Sequence, residues 1–471
     1  MARKVTTNLN GIRAISGIAL IVCAAGMAQS NQVAFPGAEG YGAAAVGWKG
    51  GEILTVTNLN DAGPGSLRAC ADNREGTPRV CTFAVSGTID LEGPVFVRSN
   101  TYVAGQTAPG DGIQLRIVDG KAGPLIIKNA HDVVVRFLKV RPGPSKESSS
   151  TVDAITIENG ERVYLGNLSL AFATDETLAV HVANSTASDI TIADNILALS
   201  LDRANHPKGR HSKGALICSE EGKTNACGRI TMARNLFAHH RDRMPDIKAT
   251  DLGPVDIVNN VFFNPISQFG EFYDHLGNAE IAYIGNVAQP GPSTKDNRPE
   301  AVQAFERIDS ARIRIWEEDN LAEAIGRCPL RNMTILDPVA ETVRVAPDSW
   351  DLSIAPMPAE DTRTHVLAHA GDQIAGRRAP DLLDRRVLDD VMACTGQVID
   401  AVEQVGGWPD MTAIITPPET TDRDSDGLPD QWEATRASLS ADTANDPWAT
   451  DPQSGLSYVE TWLAEMAGDP L

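Results

Sequence analysis

Five acidic side chains near the C-terminus are spaced as a metal-binding loop spaces them. Asp422, Asp424, Asp426, Asp430 and Glu433 fall at positions 1, 3, 5, 9 and 12 of one segment, with Gly427 at position 6 and Leu428 at 7. Calcium takes about six to eight oxygens, and this EF-hand-type spacing offers them from alternating carboxylates, a backbone carbonyl and a terminal glutamate. Metal held there would add folding energy to a short tail with little core. A second acidic group lies far upstream, where Asp175 and Glu176 are adjacent and Asp153 precedes Asp175 by 22 residues. Such a set suits calcium, and a carboxylate pair also suits acid–base hydrolysis of a glycosidic bond.

These groups need a scaffold that brings distant residues to one face, and the chain repeats itself in a way that provides one. The pattern aliphatic, any, apolar, apolar, any, Asn, aliphatic occurs at 190–196 (ITIADNI), 230–236 (ITMARNL), 255–261 (VDIVNNV) and 281–287 (IAYIGNV). Residues 163–168 (VYLGNL) are a variant with Asn167 one place early. The four starts are 40, 25 and 26 residues apart. A period near 25 with two-residue alternation marks a solenoid of β-coils, because helical repeats need longer amphipathic runs. The predicted fold is all-β, a parallel β-helix whose asparagines stack from coil to coil at one bend. A β-sandwich with scattered turns would not repeat one turn residue at near-equal spacing. On this helix Asp153 and Asp175 fall on neighbouring coils, and so do Lys213 and Arg243, with adjacent strands ~4.8 Å apart. The organisation reads as a leader at 1–28, the β-helix at 29–300, an extension packing on it at 301–415, and the metal-binding tail at 419–471. The extension contains an amphipathic helical segment at 381–393, and the tail a short one at 455–463.

Hydrophobic residues at 42% and charged residues at 22% exclude wholesale disorder, while 40 glycines and 28 prolines suit many short strands and turns. A net charge of −21 opposes bulk attraction to nucleic acid and anionic membranes, so neither is expected as a partner. No segment after the leader offers the ~20 apolar residues of a membrane span. The leader carries Arg3, Lys4 and Arg13, an apolar run at 18–25 and small residues before a cut after Ala28, which reads as an export signal. A lipoprotein reading of Cys23 meets the bulky Val22 just before it. Beyond the leader stand Cys70, Cys81, Cys218, Cys227, Cys328 and Cys394, an even number suited to disulfides in an oxidising compartment. Six cysteines allow about fifteen pairings. Cys70 with Cys81 and Cys218 with Cys227 are close enough to clip loops, which leaves Cys328 with Cys394. A secreted protein, extracellular or periplasmic and monomeric, is expected.

Several stretches, taken together, resemble one family. They are 35–42 (FPGAEGYG), 56–68 (VTNLNDAGPGSLR), 85–89 (VSGTI), 104–111 (AGQTAPGD), 153–157 (DAITI), 174–178 (TDETL), 206–214 (HPKGRHSKG), 235–245 (NLFAHHRDRMP) and 402–409 (VEQVGGWP). They resemble the pectate lyase-like polysaccharide lyases of the right-handed parallel β-helix class, over almost the whole chain after the leader. The resemblance implies β-elimination on an anionic polysaccharide, a polyuronate such as pectate or polygalacturonate. A base removes the C5 proton, Ca2+ neutralises the neighbouring carboxylate, and preplaced positive groups hold the developing charge. By this resemblance Arg243, just before Met244 and Pro245, is the catalytic base. Lys248, five positions on, stands where the family carries an Arg and binds substrate. Lys213 also binds substrate, with Lys208 competing for that role, and Asp153, Asp175 and Glu176 hold the cleft calcium.

The sequence departs from the family at three places. Ala179 replaces an expected Asp, Gly166-Asn167 stands for Asp-His, and Ala233-Arg234-Asn235 stands for His-His-Asn. The lost carboxylate at 179 predicts a weak cleft site, with Glu176 as its substitute. Two further classes remain: a glycoside hydrolase on the same fold using paired carboxylates, and a non-catalytic glycan-binding β-helix. Fold alone decides neither.

Overall fold

Each coil adds one short strand to each of three parallel sheets. The computed structural model describes residues 1–2, 32–219, 224–295, 299–309, 311–322, 328, 332–415 and 417–471. The expected leader, Cys23 included, falls outside these residues but for its first two. Ten strands stack in the first sheet, from Glu52–Val56 through Thr186–Ala193 to Ile313–Glu318. Nine stack in the second, from Val95–Phe96 through Glu176–His181 and Lys213–Ile217 to Thr334–Leu336. Ten form the third, among them Ser169–Ala171, Ile196–Ala198 and Leu236–Ala238. Successive coils pair in parallel, while Ile414–Ile415 runs antiparallel to Val85–Leu91. The architecture is the parallel β-helix that the repeats predict.

Alternation decides which side chains fill the bore. Ile190, Ile230, Val255 and Ile281 pair in register from coil to coil, and each points into the main core with the residue two places on. Each such buried aliphatic contributes roughly 1.5–3 kcal/mol. The turn from the first sheet to the third is Ala84 alone and then 105–112 in the early coils, and from 137 onward it is two residues in each: 137–138, 167–168, 194–195, 234–235, 259–260, 285–286 and 319–320. The first has positive φ (Asn167, Asp194, Arg234, Asn259, Gly285, Asp319). From 195 onward the second is asparagine, and each Nδ2 donates to the Oδ1 of the next coil: Asn195 to Asn235 at 2.9 Å, Asn235 to Asn260 at 2.9 Å, Asn260 to Asn286 at 3.0 Å and Asn286 to Asn320 at 3.1 Å. The ladder therefore gains Asn320. Asn167 lies outside it, because one place early is the left-handed position of the turn.

Two of the three outer faces are covered. An N-terminal strap with Phe35 and Trp48, together with tail residues Leu428, Val459, Trp462 and Leu463, packs on the outward side chains of the first sheet. Helices Ala359–His369 and Leu382–Ala393 pack through Val366, Leu383, Val387 and Val391 on the outward residues of the third. Asp381 caps the second of these helices by accepting from Leu383 and Asp384 N–H. Disulfides Cys70–Cys81 and Cys218–Cys227 each close a local loop, and Cys328–Cys394 ties the extension to the late coils. The second sheet is left to carry polar chemistry outward.

One boundary differs from expectation. Coils continue past 300, since Glu300–Phe305, Ile313–Glu318 and Thr334–Leu336 extend the sheets. Glu317 and Glu318 stand where the repeat has apolar residues, which hid that coil. The tail belongs to the same unit, Val33–Leu471, and shares an apolar cluster with the first sheet. Among the described residues, no helix is long and apolar enough to cross a membrane.

Candidate active site

The charged side chains of the second sheet collect where its strands begin. Asp153 lies just before Ile155–Glu158, Glu176 opens Glu176–His181, Lys213 opens Lys213–Ile217, and Arg243 precedes Asp246–Ile247. Ile155 pairs with Leu178, Glu176 with Lys213, and Lys213 with Asp242, so these groups form one column on successive coils. Asp246 pairs with Glu271 on the next coil. Close backbone approach shapes this column. A Cβ on Gly214 would lie 2.3 Å from the Arg243 carbonyl oxygen, so only glycine fits there. Arg243 itself has φ of 59°, a strained value for a non-glycine residue, and precedes a cis Met244–Pro245 bond.

Asp153, Asp175 and Glu176 are buried, and their carboxylate oxygens lie within 4.8 Å of one another. Thr156 Oγ1 donates to Asp153 Oδ2 at 2.7 Å, and the Glu176 N–H to Asp153 Oδ1 at 3.2 Å. Burial, then the neighbouring carboxylates Glu176 and Asp175, push Asp153 well above the usual range. Burial and Asp175 raise Glu176 as well, against the pull of Arg243. Three crowded, buried acids are a site that a cation would relieve. Ala179 is buried between Thr156 and Leu216 and adds no oxygen to the set.

Arg243 reaches back two coils, past Lys213, to form an ion pair with Glu176, and its Nε lies 3.4 Å from Asp246 Oδ2. Burial alone would lower its pKa, but Glu176, Asp246 and Asp242 outweigh that and hold the guanidinium protonated. Lys213 Nζ sits 2.5 Å from Asp242 Oδ1. Lys248 Nζ is 3.4 Å from Asp246 Oδ2 and 5.5 Å from the Tyr273 ring centre. Lys208, the competing lysine, lies on the exposed part of the loop after 205. The column thus gathers Asp153, Glu176, Lys213 and Arg243, with Asp175 and Lys248 beside it.

Sequence reasoning gave no role to four neighbours. His211 Nε2 lies 2.8 Å and His206 Nε2 3.6 Å from Asp175 Oδ1, and the two rings stack at 3.7 Å. Burial holds both imidazoles down to about 4, so they stay neutral near pH 7. His206 Nδ1 accepts the Lys208 N–H, which turns its Nε2–H toward Asp175. The two histidines were visible in the 206–214 stretch, but only the folded loop stacks them on Asp175. Glu271 accepts from Tyr273 OH at 2.9 Å, and burial, then Asp242 and Asp246, push it up to about 7. Period-two alternation would place Glu271 and Tyr273 on the outer face with Asp246, had the strand been recognised.

No protein-family model matches the chain. Probable pectate lyase C of Aspergillus terreus is 31% identical over 444 residues, covering 93% of this chain and 94% of that protein. The chain belongs to the pectate lyase family. It is a polysaccharide lyase, and its glycoside hydrolase and non-catalytic readings fall away. Probable pectate lyase C of Emericella nidulans is 30% identical over 440 residues, with 92% and 93% covered. Among solved structures, the cedar pollen allergen jun a 1 aligns with a TM-score of 0.50 at 17% identity over 71% of this chain and 92% of its own. The thermostable pectate lyase PL 47 gives 0.50 at 15% over 71% and 96%. At these identities the two structures show the shared fold.

This lyase carries a further acidic cluster in its tail. Asp422, Asp424 and Asp426 offer oxygens within 4.8 Å of one another. Both Asp424 oxygens and Glu433 Oε2 are buried and accept no hydrogen bond among the described residues. Burial, then Asp426 and Asp424, push Glu433 up to about 7. Asp430 departs from its expected place in the set. The Arg423 backbone N–H and Nε take its two oxygens at 2.9 and 2.6 Å, because a basic residue at 423 competes for it.

Proposed function

We propose that this lyase is secreted and cleaves polygalacturonate by calcium-assisted β-elimination, with Arg243 as the base at C5. One observation carries the reading: the Arg243 guanidinium is seated on Glu176 of a three-carboxylate cluster, one coil from Lys213. Calcium held by Asp153, Asp175 and Glu176 would neutralise the uronate carboxylate and so acidify C5. His211, as a neutral donor with the His206 ring stacked on it, fixes the Asp175 carboxylate. Lys213 and Lys248 hold uronate carboxylates and the charge that develops as C5 is deprotonated.

An arginine base needs its neutral form, and Glu176 now holds Arg243 in the charged one. Engagement of the Glu176 charge by another cation removes that partner and lowers the guanidinium pKa toward a usable fraction of base. The C5 proton passes to the Arg243 guanidine nitrogen, the C5–H electron pair forms the C4–C5 double bond, and the C4–O4 bond breaks with its pair leaving on O4, which takes a proton from water. The missing carboxylate at Ala179 supports a cleft ion that binds weakly, completed by the substrate's own oxygens.

The tail loop binds a second, structural calcium. Export is supported by the leader's pattern and by three disulfides, which persist in oxidising compartments. The test is incubation of the native protein with polygalacturonate, with and without chelator. An ultraviolet-absorbing unsaturated product that disappears with chelator supports the reading; saturated products, or cleavage untouched by chelator, would sink it.

A further inference from the structure

Asp430 is taken by Arg423, and a residue outside the acidic spacing reaches into the tail loop instead. The Asn445 backbone N–H donates to Asp426 Oδ2 at 2.8 Å. Its side-chain Nδ2 lies 2.7 Å from Glu433 Oε1, 3.3 Å from Asp426 Oδ2 and 3.2 Å from the Ser440 carbonyl oxygen. Asn445 thus bridges the carboxylates of positions 5 and 12. Glu433 is fully buried, and its second oxygen is bare among the described residues. A buried carboxylate with a bare oxygen, facing further acids, is costly unless a cation joins it.

The amide nitrogen carries partial positive charge, so it occupies a place where negative groups converge. An amide has two ends, a donor and an acceptor. Rotation about the Asn445 Cβ–Cγ bond brings Oδ1 toward the place Nδ2 now holds. We propose that Asn445 is a ligand of the tail calcium, presenting Oδ1 beside Asp422, Asp424, Asp426, the Leu428 carbonyl and Glu433. The proposal rests on the reading of the tail loop as a calcium site. It supplies an oxygen set of the usual size without Asp430.

The assignment also gives the ion reach. Asn445 lies three residues before Trp448, whose Nε1 donates to the Gly51 carbonyl at 2.9 Å and whose ring is 5.9 Å from Trp48. A ligand drawn from 445 fastens the segment after Glu433 to the loop, and through Trp448 to the first coil.

Calcium titrations of the full-length protein test this, by calorimetry and by tryptophan fluorescence. They are run on the native chain and on Asn445→Ala, Asn445→Asp and Asp424→Ala. Each is repeated with Asp175→Ala so that the cleft makes no contribution. Asn445→Ala should weaken the tight site about tenfold, the loss of one contact to a charged group, and blunt the fluorescence change. Asn445→Asp keeps an oxygen at the same reach and should bind at least as tightly as native. Native affinity in Asn445→Ala, or an Asn445→Asp that binds as weakly as the alanine variant, overturns the proposal and leaves the loop reading standing. A native protein without a tight site, or an Asp424→Ala that retains it, overturns the loop reading itself.

Discussion

Glu271→Gln should stabilise this lyase above pH 7 and do nothing at pH 4. Glu271 is buried, its Oε1 accepts no hydrogen bond among the described residues, and burial with Asp242 and Asp246 raises its pKa from 4.5 to about 7. The folded state therefore binds a proton between pH 4.5 and about 7 that the unfolded chain has released. Stability contributed by the neutral acid is fully present below 4.5 and is lost as pH rises through about 7. At about 1.36 kcal/mol per pH unit, that interval amounts to roughly 3 kcal/mol at pH 8.5. A glutamine carries no charge to bury and keeps an acceptor for Tyr273 OH. Urea midpoints at pH 4 and pH 8.5, with slopes compared, measure the effect. An equal gain at both pH values would refute the ionisation argument in favour of packing. No gain at pH 8.5 would show that Glu271 ionises in the fold without penalty.

Arg243→Ala should lower eliminative turnover at least ~10² while the circular dichroism spectrum stays native, since a base and a local charge are lost together; near-native turnover removes Arg243 from the mechanism. Lys213→Ala should raise KM for polygalacturonate, whereas Lys208→Ala on the exposed loop should leave it unchanged; the reverse order would mean that the wrong lysine faces the substrate. Asn235→Ala should cost roughly 3–5 kcal/mol in urea unfolding, because it strands buried groups on both neighbouring coils at once. A loss below about 1 kcal/mol would show that water replaces the ladder contacts.

The solenoid was legible because its constraint is local and repeated. An inward aliphatic pair and a turn asparagine recur every coil, and each instance announces itself. The same logic failed at the last coil, where Glu317 and Glu318 break the apolar pattern although Asn320 completes the ladder. Arg243, Lys213 and the three upstream acids are proposed from family motifs; that they share one column followed from the period. What stayed hidden depended on the path of irregular loops. His206 and His211 reach Asp175 by a loop conformation that no periodicity encodes. Asn445 and Arg423 meet the tail carboxylates Glu433 and Asp430 by contacts outside the spacing that defines the loop.

The two-residue turn between the first and third sheets acts as a fixed notch along a molecular ruler. From residue 137 onward coil length changes elsewhere: the segments entering the second sheet run over 172–175, 199–212, 239–245 and 264–269 in successive coils. Those segments deliver Asp175, His206, His211 and Arg243 to the cleft. Insertions and deletions there leave the ladder in step, so the walls of the groove can be rebuilt without re-registering a single strand. Grafting a different stretch at the exposed residues 207–210, between His206 and His211, is accordingly the least disruptive way to change which polymer this lyase accepts. The same edit at 194–195 would shear every coil that follows.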